Sequence, residues 1–354
     1  MVLAFAGMVG ALNWRRGEAE RDHLHHSEAM DRIEDMRLGV AAAVPVAKWL
    51  NSHMDSHNLA ILDLVYGAGN KQENATLLLE QEWQPLDAAK IVEALTCSDT
   101  AATRARLVGI LTRQTGQKFG DNAVAWESWI AQQKIIPSKA QAASYLNFKG
   151  LLYHRIDPRL VHSFAINKVS SVPPQQIYWA GLQYDAAPLR RPQLIDAGQA
   201  SYLKPEDQVF GIAAASGAAI ALPRRILVWH NIVETVLGSV PITAVYDEAK
   251  GVVYAYEMTS EITSKTGCCK AATSSFLYQG EHLISDANSH SLWSVRSGKP
   301  IVYEQVGAPE KNDFGLRKLA VFATSWSAWL REHPKTKVLA IDTGFDRDYK
   351  SIEK

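Results

Sequence analysis

The stretch AIALPRRILVWHNIVETVLGSVPITAVYDEAKGVVYAYE, residues 219–257, decides what the second half of the chain can form. Pro223 ends a short apolar run, because proline lacks the N–H that an inner strand donates. Apolar residues at helical spacing then predict a helix from Arg224 to Leu237. Gly238 stands just past its last apolar residue, where a left-handed C-cap is expected.

The rest of this stretch has the pattern of a β-hairpin. Residues 240–246 and 252–256 are strand-like runs, and the short polar segment between them ends in Gly251. Short β-rich runs separated by proline and glycine also lie on both sides of the stretch. We therefore predict a β-rich domain with a few helices over residues 144–354.

The first half of the chain is helical in pattern. Gly116 and Gly120 precede Trp126 and Trp129, which recur at a spacing of i, i+3. This segment resembles the end of a HEAT-type helical repeat, in which helix pairs bury their apolar faces against neighbours. The prediction is a helical HEAT-like region over residues 17–143, an α+β fold overall, and contact with a protein partner through the helices.

Composition limits the kinds of partner. Lys and Arg number 37 and Asp and Glu also 37 among 354 residues, so the formal net charge is zero. Without a basic excess, nucleic acid is not expected as a partner. The 3 cysteines are too few for a disulfide framework. The alanine-rich segment 211–219 lacks the lysine of a phosphate-binding loop, and the sequence requires no cofactor.

Residues 1–16 combine the uncharged run MVLAFAGMVGAL with Trp14, Arg15 and Arg16. Twelve residues of helix span about 18 Å, which is shorter than the roughly 30 Å of a bilayer core. Two interpretations stay open: part of a signal or membrane anchor, or a buried N-terminal helix. The first predicts membrane contact through residues 1–16 and an exported or anchored protein of the cell envelope; the alternative is a cytoplasmic protein.

Several motifs in the second half occur together in one known family. They are RIDPRL at residues 155–160, LPRRILVWHNIVETVLGSVPI at 222–242, and the closing segment from Thr324, whose Trp326, Trp329, His333, Pro334, Asp342, Thr343, Gly344, Arg347, Asp348 and Tyr349 all fall in place. From about Ile156 to Tyr349 the chain resembles the bacterial family catalogued as domain of unknown function 3179. The resemblance implies no established activity.

The chain departs from that family's pattern at the motif whose cysteines could take part in chemistry. The family pattern is similar to YCPLCGTAIVFD, and in this chain Asp247 and Lys250 replace its cysteines. Two cysteines at that spacing can bind a soft metal or form a redox disulfide, whereas an aspartate and an ammonium do neither. Asn231 stands where a glutamate is usual. The resemblance therefore implies a divergent member with a rebuilt site.

His230 is the leading catalytic candidate. On the predicted helix, Glu234 lies one turn later on the same face and could orient the imidazole as a general base. The alternative is a helix histidine hydrogen-bonded into the sheet. Asp247 and Lys250 could do acid–base work or bind a hard cation, or they could form a solvated hairpin tip.

A charged loop near the C-terminus supplies the remaining catalytic candidates. Asp342, Asp346 and Asp348 could ligate a cation, and Arg347 could hold a carboxylate or phosphate. Structural pairing of Arg347 with its neighbours is the alternative. The candidate ligand-binding residues are Arg225, Trp229, Glu234, Tyr246, Asp247, Tyr278 and Trp293.

Two functional hypotheses follow from these residues. The first is a binding or interaction protein of the cell envelope, with a divergent small-ligand pocket near His230. The alternative is an enzyme, with or without a bound cation, that uses His230 with the carboxylates Glu234, Asp247, Asp342 and Asp348. An enzyme requires these groups to meet in one cleft.

Overall fold

The computed structural model of the protein describes residues 41, 43–52, 54–164, 167–181, 187–259, 263, 270–304 and 315–349. A helical N-terminal half precedes a β-rich half with a few helices, which confirms the predicted α+β class. Among these residues no helix has both the length and the apolar character needed to cross a membrane. The predicted anchor at residues 1–16 lies outside the described part of the chain.

The helical half consists of helices joined by short loops. They are α1 (Ser56–Tyr66), α2 (Asn70–Gln81), α3 (Pro85–Thr96), α4 (Ala101–Thr115), α5 (Ala123–Gln132) and α6 (Lys139–His154). Side chains cap several N-termini, as where the Ser138 hydroxyl accepts from the N–H of Gln141. Gly116 ends α4 in the left-handed conformation. The helical region is confirmed from residue 43 onward, residues 17–40 of the prediction lie outside the described residues, and the HEAT-type likeness stays a prediction.

The β-rich half forms three sheets among the described residues. The sheets have the orders β1-β13-β12-β11-β10-β2, β14-β9-β8-β7-β3 and β15-β5-β6-β16-β4. The first sheet contains β1 (Lys168–Ser170), β2 (Ile177–Trp179), β10 (Ala271–Tyr278), β11 (Glu281–Asp286), β12 (Leu292–Ser294) and β13 (Pro300–Glu304). The second contains β3 (Leu189–Arg190), β7 (Ile232–Leu237), β8 (Val240–Asp247), β9 (Val252–Glu257) and β14 (Lys318–Leu319). The third contains β4 (Leu194–Asp196), β5 (Gln208–Ala213), β6 (Ala219–Pro223), β15 (Phe322–Ser325) and β16 (Lys337–Leu339).

The predicted helix from Arg224 to Leu237 is wrong over most of its length. Only α7 (Arg224–Leu227) is helical, and Ile232–Leu237 is a strand that pairs antiparallel with β8. Four of its six residues are β-branched, and burial alternates along its central part, which favours a pleated strand over a helix. Gly238 is therefore not a helix cap; its φ of 64° places it in the turn between β7 and β8.

The predicted β-hairpin is confirmed as β8 and β9. Asp247 pairs with Val252 across its end, and Gly251 has a φ of 63°, which glycine adopts without steric cost. One more helix, α8 (Trp326–Glu332), packs its Trp329 ring onto the third sheet. A Cβ at Gly211 would lie 2.3 Å from that ring, so this close approach requires glycine.

One hydrophobic core joins the helical half to the first sheet. Tyr153 of α6 contacts the ring of Phe276 on β10, with centroids 4.9 Å apart. The buried Lys149 of α6 pairs with Glu93 of α3 and donates to the carbonyl of Ile177 on β2, 2.8 Å away. Helix α6 crosses the boundary predicted at residues 143/144. One continuous helix therefore carries both the end of the helical half and the residues that contact the first sheet.

Candidate functional site

The candidate residues separate into two neighbouring groups in the β-rich half. We call the first the His230 cluster, made of His230, Thr343, Phe345 and Tyr349, in which the C-terminal segment packs on the end of α7. We call the second the β8 cavity, an open space of about 280 Å³ beside the ends of β8, β10 and β11. Asn231 and Ile232, which follow His230 directly, line the β8 cavity.

In the His230 cluster, both ring nitrogens of the histidine are engaged. His230 is only 1% exposed; its Nδ1 lies 2.7 Å from the carbonyl oxygen of Ala187, and its Nε2 lies 2.5 Å from the hydroxyl of Tyr349. A carbonyl only accepts, so Nδ1 carries a hydrogen, and in the neutral tautomer Nε2 accepts from Tyr349. The imidazole is thus held between two segments of the chain.

The tyrosine is held in turn by the loop before it. The hydroxyls of Tyr349 and Thr343 are 2.5 Å apart, and the ring of Phe345 lies 4.9 Å from that of His230. Burial raises the pKa of Tyr349, although the Thr343 hydrogen bond and Arg347 oppose that shift. The phenol therefore keeps the hydrogen that it donates to His230.

The charged C-terminal loop makes local contacts and packs against Trp229. Asp342 and Asp348 are exposed, and Asp342 accepts a hydrogen bond from the N–H of Gly344 in its own turn. The guanidinium of Arg347 lies 5.7 Å from the Trp229 ring centre, a cation–π contact that fixes the loop on α7. In the part of the chain that the structure describes, no group of three His, Cys, Asp or Glu residues is arranged to hold a metal ion.

Arg225 and Glu234 serve contacts between elements. Arg225 is buried, and its guanidinium donates to the Asp207 carboxylate at 2.6 Å. Glu234 forms an ion pair with Arg190 and accepts from the N–H of Ala271 at 2.9 Å, which joins β7 to β10. The predicted orientation of His230 by Glu234 one helical turn later is wrong, because the chain leaves the helix and Glu234 lies on β7.

Besides Trp229, the three other aromatic candidates differ in position. Tyr246 of β8 lines the β8 cavity, and its hydroxyl receives a hydrogen bond from Arg224 at 3.3 Å. Tyr278 packs against the core shared with the helical half. Trp293 is buried in a separate hydrophobic cluster between the first and second sheets. Neither Tyr278 nor Trp293 is among the lining residues of the β8 cavity.

The walls of the β8 cavity are mostly apolar, with a few polar groups among them. Ile232, Val245, Leu283, Ile284 and Val295 supply the apolar surface. The polar lining comes from Asn231, Asp247, Glu248, Thr273, Ser274 and His282. Apolar walls with a few polar groups are the usual composition of a small-molecule site.

Asp247 takes part in a charged group at one end of the cavity. Its Oδ2 is buried and lies 3.1 Å from the Lys250 ammonium. The same ammonium lies 3.6 Å from the buried Glu281 carboxylate, which accepts from Ser294. Partial burial lowers the pKa of Lys250, but hydrogen bonding and attraction to Asp247, together with Glu281, outweigh it and raise that pKa.

Two further polar groups in the cavity, the side chains of Asn231 and His282, affect which ligand it could bind. The side-chain oxygen of Asn231 is buried and accepts no hydrogen bond from the described residues. His282 lies at the exposed position of β11 between buried neighbours, and burial lowers its pKa, opposed by Asp247 and Glu248. A neutral imidazole and an unpaired amide oxygen therefore share the cavity with two carboxylates.

Sequence reasoning missed His282, Thr273 and Ser274 as cavity residues. Their strands are separated along the chain from residues 231 and 247, and only the pairing of sheets brings them together. A signal did exist at Asn231 and Asp247, since both depart from the family pattern and both line the cavity. The β8 cavity begins at the residue after His230, with His230 itself outside its lining, and the predicted ligand pocket near His230 stays a prediction.

Comparison with known proteins supports the resemblance in the second half. Residues 185–352 match the family model described as "Protein of unknown function (DUF3179)". The RIDPRL motif at residues 155–160 precedes this match. No curated protein matches the chain, and no solved structure matches it.

Proposed function

We propose that this protein, whose C-terminal half belongs to a family of unknown function, binds a small apolar molecule carrying an N–H or ammonium group in the β8 cavity. The observation that carries the proposal is the buried side-chain oxygen of Asn231. A buried acceptor without a donor costs about 1–3 kcal/mol, and a ligand donor would remove that cost. The apolar walls would hold the remainder of the ligand.

The charges on the wall favour a neutral or cationic ligand over an anionic one. Asp247 and Glu248 line the cavity, and no Lys or Arg does so among the described residues. Lys250 partly compensates Asp247, but its side chain is 38% exposed and directed between Asp247 and Glu281. An amine would meet at least one carboxylate, whereas a carboxylate ligand would be repelled.

The cellular setting belongs to the same proposal. The apolar run of residues 1–12, followed by Trp14, Arg15 and Arg16, supports a binding or interaction protein of the cell envelope. The helical half offers a surface for a protein partner beside the ligand-binding half. Localisation of the full chain by fractionation of cells tests this part, and recovery in the soluble cytoplasm alone would contradict it.

The enzyme hypothesis has less support from the geometry. His230 is bonded at both nitrogens, Glu234 is paired with Arg190, and Asp342 is exposed in a turn. These contacts already engage the proposed catalytic groups, whereas general acid–base chemistry requires groups that face one substrate. Ligand binding in the β8 cavity needs none of these groups to move.

The direct test uses probes of equal size and different charge. Benzylamine should raise the melting temperature of the full-length protein and give saturable heats in calorimetry, whereas benzoate should do neither. Asn231→Ala should weaken benzylamine binding about tenfold, as expected for a lost hydrogen bond to a charged donor. The matched control is Asn74→Ala, at an exposed position of α2, which should bind benzylamine like the unchanged protein.

The outcomes separate the proposal from its rivals. Equal binding of benzylamine and benzoate would show that the carboxylates and Asn231 do not select the ligand. Unchanged benzylamine affinity in a folded Asn231→Ala protein would place the probe elsewhere. Absence of benzylamine binding to the unchanged protein at millimolar concentration would overturn the donor-bearing ligand class.

A further inference from the structure

A second open space lies in the helical half, far along the chain from the β8 cavity. It measures about 420 Å³ and is lined by the beginnings of α1, α3 and α6. We call it the helix-end pocket and define it by Asp55, Ser56, Gln84, Lys90, Gln141 and Ser144. Polar side chains line it together with Leu86 and Ala140, so its lining is more polar than that of the β8 cavity.

The ammonium group of Lys90 is the unusual feature of the helix-end pocket. The Lys90 side chain is only 5% exposed, and its nitrogen makes no hydrogen bond with any described residue. Its nearest carboxylate oxygen, on Asp87, is 4.0 Å away, and the Tyr145 ring centre is 5.8 Å away. Burial lowers the pKa of Lys90, whereas Asp55 and Asp87 favour its charged form.

Asp87 balances the charge of Lys90 without satisfying its hydrogen-bonding capacity. One oxygen of Asp87 accepts from His57 Nδ1 and from the N–H of Gln84, each at 2.9 Å. The other oxygen is buried without a hydrogen bond, and it is the one 4.0 Å from Lys90. The ammonium thus has a counter-charge and three N–H groups that no described residue accepts.

Three helix N-termini add positive potential at the same place. Ser56 begins α1, Gln84 caps α3, and Gln141 lies in the first turn of α6. These helices contain 11, 12 and 16 residues, long enough for a developed dipole. Together with Lys90, they favour an anionic group at the bottom of the pocket.

The rim of the pocket has the opposite charge. Asp55 is exposed while its oxygens accept from the N–H of Asn58 and from the Ser144 hydroxyl. Glu82 is 65% exposed and stands 3.8 Å from His57. A purely anionic ligand would bring its charge past these carboxylates, and a purely cationic one would meet Lys90.

We propose that the helix-end pocket is a second ligand site, which binds a small zwitterion with its carboxylate on Lys90 and its ammonium group toward Asp55 and Glu82. An α-amino acid has this arrangement of charges. Gln84, Gln141 and Ser144 supply neutral polar contacts between the two ends. The proposal rests on residues of the helical half and does not depend on the function proposed for the β8 cavity.

The test compares ligands that differ only in charge, on the full-length protein. Glycine and L-glutamine should bind measurably in calorimetry, whereas acetate and methylammonium should bind at least tenfold more weakly. Lys90→Met should reduce L-glutamine affinity by at least about tenfold, because a charge-assisted hydrogen bond is lost. Because that variant leaves Asp87 without its counter-charge, its folding must be checked by circular dichroism.

A second variant keeps the proposal testable if Lys90→Met does not fold. Glu82→Gln removes an exposed rim carboxylate and should weaken L-glutamine binding about threefold while leaving acetate binding unchanged or stronger. Glu73→Gln, at an exposed position of α2, is its matched control and should change neither. Equal affinity for glycine, acetate and methylammonium, no binding of either amino acid at millimolar concentration, or unchanged L-glutamine affinity in folded Lys90→Met or Glu82→Gln protein would overturn the proposal.

Discussion

The His230 cluster and the β8 cavity are neighbours along the chain but differ in how their polar groups are used. In the cluster, hydrogen bonds connect Ala187, His230, Tyr349 and Thr343 in a continuous series. In the cavity, the Asn231 oxygen accepts no such bond from the described residues. Polar groups that satisfy one another stabilise a fold, whereas an unsatisfied buried group destabilises it until a donor reaches it.

The same comparison separates matching residues from departing ones. Trp229, His230, Thr343, Arg347 and Tyr349 fit the family pattern, and all of them hold the C-terminal segment on α7 or on the sheet beside it. The departures at Asn231 and Asp247 line the β8 cavity. Of these positions, the five that agree with the family pattern hold the C-terminal segment, and the two that depart from it line the adjoining cavity.

The largest expected effect comes from His230→Ala. Loss of a buried ring together with both of its hydrogen bonds should lower the free energy of unfolding by about 3 kcal/mol. Urea denaturation measures it. His282→Ala, at the exposed position of β11, is the control and should change that free energy by less than about 0.5 kcal/mol. Equal losses in the two variants would remove the distinction between cluster and cavity.

Tyr349→Phe should have an intermediate effect. The ring is kept, but Nε2 of His230 loses its donor in a buried place, so we expect a loss of about 1–2 kcal/mol in the free energy of unfolding. Tyr278→Phe is the matched control, because the Tyr278 hydroxyl contacts the exposed Gln279 side chain. A loss as small as that of the control would show that the Tyr349 hydroxyl does not hold the cluster together.

Lys250→Met should change ligand binding in the β8 cavity more than it changes the free energy of unfolding. Lys250 is more than one third exposed, so solvent screens its ion pairs and the loss of stability should not exceed about 1 kcal/mol. Removal of the compensating ammonium from Asp247 should strengthen benzylamine binding about threefold. Lys299→Met, at an exposed position, provides the control in calorimetry. Weaker binding in Lys250→Met would mean that Lys250 itself contacts the ligand.

The smallest effect concerns pH and His282. Burial holds the pKa of His282 below its ordinary value of 6.5, so below pH 6.5 the unfolded chain takes up a proton that the folded chain does not. The contribution of His282 to stability should therefore fall slightly as pH decreases from 6.5, by less than the effect of Tyr349→Phe. Burial lowers the pKa of His290 to about 4, which adds a larger fall with or without His282. His282→Gln should show a shallower decrease in parallel urea titrations at pH 7 and pH 5. Identical slopes would contradict a lowered pKa.

Much of the fold could be predicted from local pattern. The β8–β9 hairpin and the helical first half follow from runs whose spacing and glycine positions admit one structure. The helix predicted over Arg224 to Leu237 is wrong because, in so short a segment, its apolar residues fit both the helical and the strand period. Pairing with β8 makes Ile232–Leu237 a strand instead of a helix. Glu234 therefore does not lie one helical turn after His230.

The candidate site was only partly predictable for the same reason. The departures Asn231 and Asp247 marked the region, but His282 and Ser274 reach it through sheet pairing that local patterns do not encode. The helix-end pocket had no signal at all, since Asp55, Lys90 and Ser144 lie on three different helices. The buried state of Lys90 depends on neighbours far away in the chain.

The sequence by itself determined the α+β class, the β8–β9 hairpin and the family resemblance of the second half, because each depends on residues close together in the chain. The tertiary structure alone decided that His230 supports the fold beside the β8 cavity, and that Lys90 is buried where three helices begin. Burial, hydrogen-bond satisfaction and the meeting of distant charges are properties of packing, and they determine which polar groups remain available to a ligand.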